Sequence, residues 1–434
     1  MFVFNKLNRF ISIRLSNANR IQTINPEIMN KTTRLLGSLL IITIATSCGT
    51  GDKNQSAQTD DPLANSPIVG QYVQAGTDNV MSCDQKLLAD TVRIPLSFFT
   101  EKLEIVKLDS RDEALVGQTG VTISDNYILV HGRQPNPFKL FDRKGNFLTN
   151  IGAIGQGPGE YQMVYDAKLD EANNRIYILP WNASQLLVYD LQGNVLDPIP
   201  LCLRCPKAKF NVDLTGGKVS IVLLPFKGSA AVAWTQDLKG NRLGYMEPGH
   251  LEAPQDFSNE VISGFNIPGT FDVNILCIMP TRVDSLYRYD GDNSRLIPTF
   301  TLNFANTDKI PWHGYGEWPH HFIGDFSEPP VEVAPGSWTN GKTFHYIVDK
   351  KTGKGSFFKL YNDYFGNLEI DYPSYAFSNG YYIRNIEPGN LMTDIENALK
   401  NKDITSEMRK KLTDLQNTIE DNDNNYVMIA KLKK

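Results

Sequence analysis

The densest cluster of residues that could do chemistry lies between positions 312 and 338. Three of the five tryptophans and three of the six histidines fall there, beside a carboxylate: Trp312, His313, Tyr315, Glu317, Trp318, His320, His321 and Trp338. Aromatic rings with polar edges suit stacking on a sugar, a peptide or another amphipathic ligand; packing of the rings within the protein is the structural alternative. Imidazoles with Glu317 could instead bind a metal, but no helical or hairpin spacing supports it. We predict a ligand-binding segment and no metal site.

Cys202 and Cys205 have the spacing of a redox dithiol or of half a zinc site. Zinc would need two further ligands, and the sequence has no second Cys-x-x-Cys. A thioredoxin-like motif needs a helix N-terminus, whereas this pair follows an apparent strand. A Cys202–Cys205 disulfide and a pair of free thiols both stay open, with redox catalysis as a third alternative.

Glycines at positions 152, 155, 157 and 159 resemble part of a nucleotide-binding loop. Such a loop must run into a helix that holds pyrophosphate, but Pro158 interrupts the pattern and β-type sequence continues from Tyr161. We expect instead a sharp turn between β units, with Glu160 bonding exposed backbone amides.

The linear signatures of catalysis are missing from the sequence. It contains no Gly-x-Ser-x-Gly elbow, no His-Glu-x-x-His and no calcium loop. We predict no catalytic residue, no enzyme activity and no cofactor. A metal-assisted hydrolase or lyase is the alternative, because a site built from scattered carboxylates and amides leaves little linear trace.

An internal repeat indicates the elements that position these residues. Asp-x-x-Gly-Asn begins at Asp142, Asp190 and Asp237, and each copy follows an apolar alternating run. Gly-Asn supplies the left-handed backbone of a tight hairpin. A preceding strand recurs in register, and Arg133 and Trp181 follow it in corresponding loops. We expect these two residues to line the same face as candidate ligand contacts.

The repeat weakens in the second half of the chain. A degraded copy surrounds Asp290, and another Asp-x-x-Gly-Asn begins at Asp363, 73 residues later. This spacing implies an insertion between about 303 and 335. The aromatic cluster is therefore predicted to project as a loop from one face, where ligand contacts are common.

Units of about 40 to 50 residues with several short strands are typical of propeller blades. Residues 90–434 allow 57 to 58 residues for each of six units. The predicted fold class is all-β, a six-bladed β-propeller of four-stranded antiparallel blades; seven blades are the alternative.

A ring has to close, because an open end would expose strand edges. Alternating residues from Val92 to Leu96 and the run 103–108 offer N-terminal strands, and residues 426–432 offer a C-terminal one. We predict that they meet in one blade. Apolar residues at helical spacing between about 390 and 420 predict a helical hairpin inserted in that blade.

The N-terminus reads as an export signal. Residues 35–45 form an apolar run of eleven; at about 1.5 Å per residue this covers about 16 Å, too short for a hydrocarbon core of about 30 Å. Ala45 and Ser47 before Cys48 resemble the cleavage site of bacterial lipoproteins. We predict a signal peptide over 1–47, translation from Met29, a lipid on Cys48 and a flexible tether over 48–89; an ordinary signal peptide is the alternative.

The charge balance argues against nucleic acid as a partner. The chain has 43 basic and 48 acidic residues, and removal of residues 1–47 leaves a net charge of −10. A protein that binds a phosphate backbone normally carries a basic surplus.

The chain resembles the six-bladed β-propeller lipoproteins of Bacteroides-type bacteria, which are similar to NHL-repeat propellers. The resemblance lies in residues 94–96 and 103–108, the hairpin 141–148, the stretch 155–161, Asn362–Asp363 with Gly366, and residues 428–432. It implies a propeller and a secretion route, and it supplies no catalytic residue.

Together these features predict a monomeric propeller anchored to the outer membrane by lipid alone, on its periplasmic or outer side. Its expected role is non-catalytic binding of a peptide, a glycan or an envelope protein. A scaffold subunit of an envelope complex is a further alternative.

Overall fold

The computed structural model of the chain describes residues 61–256, 258–276, 283–306, 308, 310–328, 331–334, 337–339 and 341–434. All elements below belong to one compact unit, Pro62–Lys434. The predicted signal peptide, the start at Met29, the lipidated Cys48 and the tether as far as residue 60 lie outside the described residues.

Among the described residues, four strands and one short α-helix precede the first complete blade. They are β1 (Gly70–Ala75), β2 (Asp78–Asp84), β3 (Thr91–Pro95), α1 (Leu96–Phe99) and β4 (Thr100–Lys107).

The first three blades follow in chain order, each as four antiparallel strands numbered outward from the ring axis. Blade one has β5 (Val121–Ile123), β6 (Tyr127–Val130), β7 (Phe138–Asp142) and β8 (Phe147–Ile151). A link of β9 (Ala153–Ile154) and β10 (Glu160–Tyr161) leads to blade two, with β11 (Val164–Asp170), β12 (Arg175–Pro180), β13 (Ala183–Tyr189) and β14 (Val195–Cys205). Blade three has β15 (Ala208–Asp213), β16 (Lys218–Leu223), β17 (Ala233–Asp237) and β18 (Arg242–Met246).

The last three blades carry the additions to this pattern. Blade four has β19 (Glu260–Ile262), β20 (Asp272–Leu276), β21 (Leu286–Asp290) and β22 (Arg295–Asn303). Blade five has β23 (Trp312–Glu317), β24 (His321–Ser327), β27 (Thr343–Asp349) and β28 (Gly355–Asn362), with a side hairpin of β25 (Val331–Ala334) and β26 (Ser337–Thr339) and a short β29 (Leu368–Ile370). Blade six has β30 (Phe377–Ser378), β31 (Tyr381–Ile386) and β32 (Tyr426–Leu432), completed by β4.

The six four-stranded blades form a ring, which confirms the predicted propeller. Because strands alternate in direction, connections between strands two and three, and between successive blades, lie on one face, which we call the upper face. Turns between strands one and two, and between strands three and four, lie on the lower face.

Apolar clusters fill the spaces between adjacent blades. Within the described residues there is one cluster for each of the six interfaces, including the one between blades six and one, where Val106, Ile128 and Val427 pack together. Burial of such side chains contributes about 25 cal/mol per Å² of apolar surface, so each blade is stabilised mainly by its two neighbours.

The ring closes as predicted through strands from both ends of the chain. β4 pairs antiparallel with β32, with Val106 opposite Val427. Two helices, α2 (Pro388–Lys400) and α3 (Ser406–Gln416), connect β31 to β32 and confirm the predicted helical hairpin. The segment around Val92 was wrongly placed, because β3 pairs parallel with β28 of blade five.

The predicted tether ends earlier than residue 89. β1 and β2 form a hairpin, and β2 pairs parallel with β22 at the outer edge of blade four. Met81 and Cys83 are buried there against blade five. Their apolar side chains, two residues apart, point to the same face of the strand, which is why this segment folds onto the propeller.

The Asp-x-x-Gly-Asn repeat forms the turn between strands three and four in blades one to three. In blade one, Oδ1 of Asp142 accepts the backbone N–H groups of Lys144 and Asn146, and Gly145 has φ +88°. Blade five uses Asp349 and Gly353 for this turn. The expectation that Asp363 marks this turn was therefore wrong, since Asp363 lies between β28 and β29 and accepts Ser97 N–H.

Candidate functional site

The aromatic segment 312–321 is not a projecting loop, contrary to the sequence prediction. It forms β23, the innermost strand of blade five, and the start of β24, the next strand. The extra length of this blade is the hairpin of β25 and β26. Alternation along β23 places His313, Tyr315 and Glu317 on one face of the strand, where they contact blade four.

His313 and Tyr315 are buried, at 7% and 6% exposure, and hold neighbouring backbone groups. Nδ1 of His313 lies 2.8 Å from Pro311 O and Nε2 accepts the N–H of Asp284, which fits the neutral ring protonated on Nδ1. The hydroxyl of Tyr315 donates to Asp284 O. Both side chains thus tie the innermost strand of blade five to the connection between strands two and three of blade four.

Glu317 is the acid of the segment and is 5% exposed. It forms ion pairs with Arg288 at 2.9 Å and with Lys350 at 2.6 Å. These contacts join strand three of blade four to the lower turn of blade five. The buried carboxylate of Glu317 therefore has two cationic partners within the protein, and its burial needs no bound metal or ligand.

Trp318 is 1% exposed and packs between Phe99 and Phe377, with ring centroids 4.7 and 4.4 Å away. His321, 7% exposed, contacts Phe99 edge-on and lies 3.8 Å from Asp349. Trp312 is half-buried and His320 is exposed. The backbone at Trp338 pairs with Glu332; its side chain lies outside the described part.

Arg133 and Trp181 lie in the connections between strands two and three of blades one and two. Strand order therefore places both on the upper face, as the repeat predicted. Trp181 is half-buried, and its backbone N–H donates to Met163 O. Arg133 is exposed.

Arg133 lines a cavity of about 160 Å³ on the upper face of blade one, which we call the Arg133 pocket. One wall comes from the blade-six-to-blade-one connection and the other from the strand two-to-three connection of blade one. The lining residues are Val116, Gly117, Gln118, Thr119, His131, Arg133, Gln134, Asn136, Pro137 and Lys139. Two of them, Arg133 and Lys139, are basic and none is acidic, so the pocket favours an anion.

Lys139 lies in β7 and is 5% exposed. Its Nζ donates to Glu113 O at 2.5 Å and to Asn150 Oδ1 at 2.9 Å, both uncharged acceptors. Burial lowers the pKa of Lys139, and the nearby charge of Glu113 opposes this effect. Nζ also lies 5.5 Å from the centroid of the Phe147 ring. An ammonium group whose contacts are all uncharged is a favourable partner for an incoming carboxylate.

The pocket wall at residues 116–119 is held in place by blade six. Asn424, 2% exposed, accepts Val116 N–H and donates to Asp109 O and Ala114 O. Asn385 donates to Gly117 O and Thr119 O. Since ring closure brings these asparagines to the wall, the pocket is preorganised by the closing blade.

His131 forms the inner side of the pocket and stacks on Phe138 at 5.0 Å. Its Nε2 lies 2.8 Å from Thr122 Oγ1. Burial lowers the pKa of His131 to about 4; nearby Asp166 opposes this shift and Lys209 adds to it. The imidazole is therefore neutral at pH 7, and the positive charge of the pocket comes from Arg133 and Lys139.

The inner strands of blades two, three and four bring a second set of charges together. Lys207, fully buried, pairs with Glu260 at 2.5 Å, and Tyr165 donates to the same carboxylate. Lys209 pairs with Asp166 at 2.9 Å. These ion pairs link the inner strands of adjacent blades, and Oδ2 of Asp166 is buried without a hydrogen-bond partner among the described residues.

Sequence reasoning found Arg133 but missed the rest of the pocket. Lys139 carries a signal, because it stands inside the apolar strand sequence Phe-Lys-Leu-Phe, where a charge is costly unless it has a role. Asn385 and Asn424 have no such signal in the sequence, because their contacts with the pocket wall form only when the ring closes.

Cys202 and Cys205 are free thiols, Cys205 being buried. Both lie in β14. Residues three apart in an extended strand point to opposite faces with Cα atoms about 10 Å apart, beyond the reach of a disulfide. Burial raises the pKa of both thiols, which disfavours the reactive thiolate.

The stretch 152–161 is the connection between blades one and two, as predicted. Gly152 and Gly159 have positive φ, and Oε2 of Glu160 accepts Gly157 N–H at 2.8 Å.

In the part of the chain that the structure describes, no three His, Cys, Asp or Glu side chains are placed to hold a metal ion. Nor does any helix in that part have the length and apolar character to cross a membrane.

Comparison with known proteins supports the fold. The family profile of DUF4934, a domain of unknown function, matches residues 79–431. A putative exported protein from Bacteroides fragilis has a similar structure, with a TM-score of 0.54 and 16% identity over 81% of this chain and 99% of that one. A DUF4221-family protein from Bacteroides vulgatus gives 0.41 and 11%, over 77% and 97%. No curated protein sequence matches the chain.

Proposed function

The chain belongs to the DUF4934 family, and from this premise we propose that it is an exported binding module of the cell envelope. In this proposal Cys48 carries a lipid that anchors the protein to the outer membrane. The upper face of the propeller binds a peptide, a glycan or another envelope protein without chemical conversion. The Arg133 pocket is the binding site.

The observation that carries this proposal is the charge of the Arg133 pocket. Arg133 and Lys139 line it together, no acidic residue lines it, and neither forms an ion pair with a described residue. The lysines at two other blade interfaces do have carboxylate partners, Lys207 with Glu260 and Lys350 with Glu317. Two unpaired cations around one preorganised cavity support a role in binding an anionic group.

The path of the N-terminal segment supports the orientation of this site. Val69 N–H donates to Gly353 O, and Lys354 Nζ donates to Ala64 O. Residues 64–69 therefore lie along the strand three-to-four turn of blade five, on the lower face. Residues 64–69 thus lie on the face opposite the Arg133 pocket.

Binding to arrays of glycans and peptides tests the site. We expect the purified chain to bind a subset of acidic ligands, Arg133→Ala to bind them at least tenfold more weakly, and Arg242→Ala to bind like wild type. Arg242 is a matched control, since it is an exposed arginine on the outer strand of blade three. Equal loss in both variants, or no loss in Arg133→Ala, would contradict the assignment.

Metabolic labelling with a fatty-acid analogue tests the anchor. Label should enter the wild-type chain in its native host and be absent from Cys48→Ala, which should leave the membrane fraction. Retention of label in Cys48→Ala would refute lipidation at this residue.

A further inference from the structure

The size of the Arg133 pocket limits what it can hold. Its volume is about 160 Å³. A cavity of about 150 Å³ accommodates one benzene ring, whereas pockets for drug-sized ligands begin near about 300 Å³. The pocket is therefore too small for a drug-sized ligand. Because Gln118, Gln134 and Asn136 of its lining are exposed, part of one sugar ring can occupy it while the rest of the molecule stays in solvent.

The positive charge within the pocket favours a carboxylate on the bound ring. An ammonium group has three N–H donors, and Lys139 uses two of them on Glu113 O and Asn150 Oδ1. The third has no oxygen acceptor among the described residues, and the Phe147 ring lies 5.5 Å from Nζ. Arg133 adds a forked guanidinium group at the rim, which matches the geometry of a carboxylate.

The rest of the lining suits hydroxyl groups. The side-chain amides of Gln118, Gln134 and Asn136 line the pocket and form no hydrogen bond with a described residue. Each amide offers both donors and an acceptor, as a sugar hydroxyl does. Val116 and Pro137 are the apolar side chains of the lining, which leaves little surface for the side chain of a peptide terminus.

We propose that the Arg133 pocket binds a hexuronic acid at the end of an acidic glycan, an inference that rests on the binding function proposed above. Lys139 and Arg133 bind the carboxylate, and the amides of Gln118, Gln134 and Asn136 bind ring hydroxyls. A peptide C-terminus shares the carboxylate but lacks the hydroxyls, and a neutral hexose shares the hydroxyls but lacks the carboxylate.

Isothermal titration with three small probes tests this inference. D-Glucuronate supplies both features, D-glucose the hydroxyls alone, and N-acetyl-diglycine a peptide carboxylate alone. We expect glucuronate to bind at least tenfold more tightly than either other probe. Arg133→Ala should weaken glucuronate binding at least tenfold, and Arg242→Ala should leave it unchanged. Arg133 is exposed, so its replacement should not disturb folding, which a thermal melt checks.

Each other result would overturn the inference. Equal binding of glucose would remove the need for a carboxylate, and tighter binding of N-acetyl-diglycine would assign the pocket to peptides. Unchanged glucuronate affinity in Arg133→Ala would place the sugar elsewhere. If the arrays show Arg133-dependent ligands while glucuronate fails to bind, the uronate inference falls and the binding function stands. If no array ligand binds either, both the uronate inference and the proposed binding function are refuted.

Discussion

Gly145, in the first repeat turn, lies against Lys107 in the N-terminal strand that closes the ring. A Cβ atom at position 145 would be 2.0 Å from the carbonyl oxygen of Lys107. A Cβ atom at position 193, in the second repeat turn, would likewise be 2.7 Å from Asn150 O of blade one. The repeated glycine thus serves two purposes: it provides positive φ for the turn, and it lets that turn rest on the outer strand of the preceding blade.

Gly145→Ala should therefore destabilise the propeller more than a positive-φ turn alone explains. Gly76→Ala is the matched control, because Gly76 has φ +64° and no atom within 4 Å of its Cβ position. We expect a loss of about 1 kcal/mol for Gly76→Ala and of about 3 kcal/mol for Gly145→Ala, which adds a clash with backbone. Denaturant unfolding measures both, and equal losses would show that the contact with Lys107 carries no weight.

Much of the ring could be predicted from sequence because its signals are local. The turn at Asp142 repeats in a short motif, and the strand around Val427 alternates clearly, so blade number and closure both follow. β3 was assigned to the wrong blade because the alternating sequence of an apolar strand does not depend on which neighbouring strand it pairs with. Its partner, β28, is about 260 residues away in sequence, and pairing over that distance leaves no local trace.

The candidate site was less predictable for a related reason. Trp318 and Arg133 look equally functional in sequence, but composition does not report burial. Trp318 fills the space between blades five and six, whereas Arg133 faces solvent. The wall held by Asn424 and Asn385 exists only after closure of the ring, so no sequence pattern near Arg133 could indicate it.

Trp318→Ala should act on stability and not on ligand binding. The ring is 1% exposed and in contact with Phe99 and Phe377, and removing a buried large aromatic side chain costs about 3 to 5 kcal/mol. Denaturant unfolding at 25 °C should show this loss. Trp312→Ala, at a half-buried position, should cost less. A Trp318→Ala protein of wild-type stability would contradict the core position and restore this ring as a ligand contact.

Stability should rise with pH through the titration of His131. Burial lowers the pKa of His131 to about 4 in the folded chain, from 6.5 as an unperturbed residue. Between these values the unfolded state binds more protons, so the unfolding free energy increases with pH, by on the order of 3 kcal/mol from this group. The gain is complete above pH 6.5 and lost as pH falls toward 4.

His131→Gln isolates this contribution. The variant should show a smaller rise in unfolding free energy between pH 4 and pH 6.5 than the wild type, measured in the same urea series. His320→Gln, at an exposed histidine, controls for removal of an imidazole elsewhere. Identical pH profiles for wild type and His131→Gln would show that the ring is hydrated in the folded state.

Lys139→Met separates a functional lysine from a structural one. Methionine nearly matches the length of the lysine stem and removes the charge, and replacing a buried charge by an apolar group of similar volume is often neutral or stabilising. Asn150, one of the two acceptors that would lose a donor, is exposed and can bond to water. We expect the unfolding free energy to stay within about 1 kcal/mol of wild type, while binding of an anionic ligand is lost. A loss of more than about 3 kcal/mol, the size expected when a buried charge pair is broken, would mean that Lys139 is retained for the fold, and binding at this pocket would then have to depend on Arg133 alone.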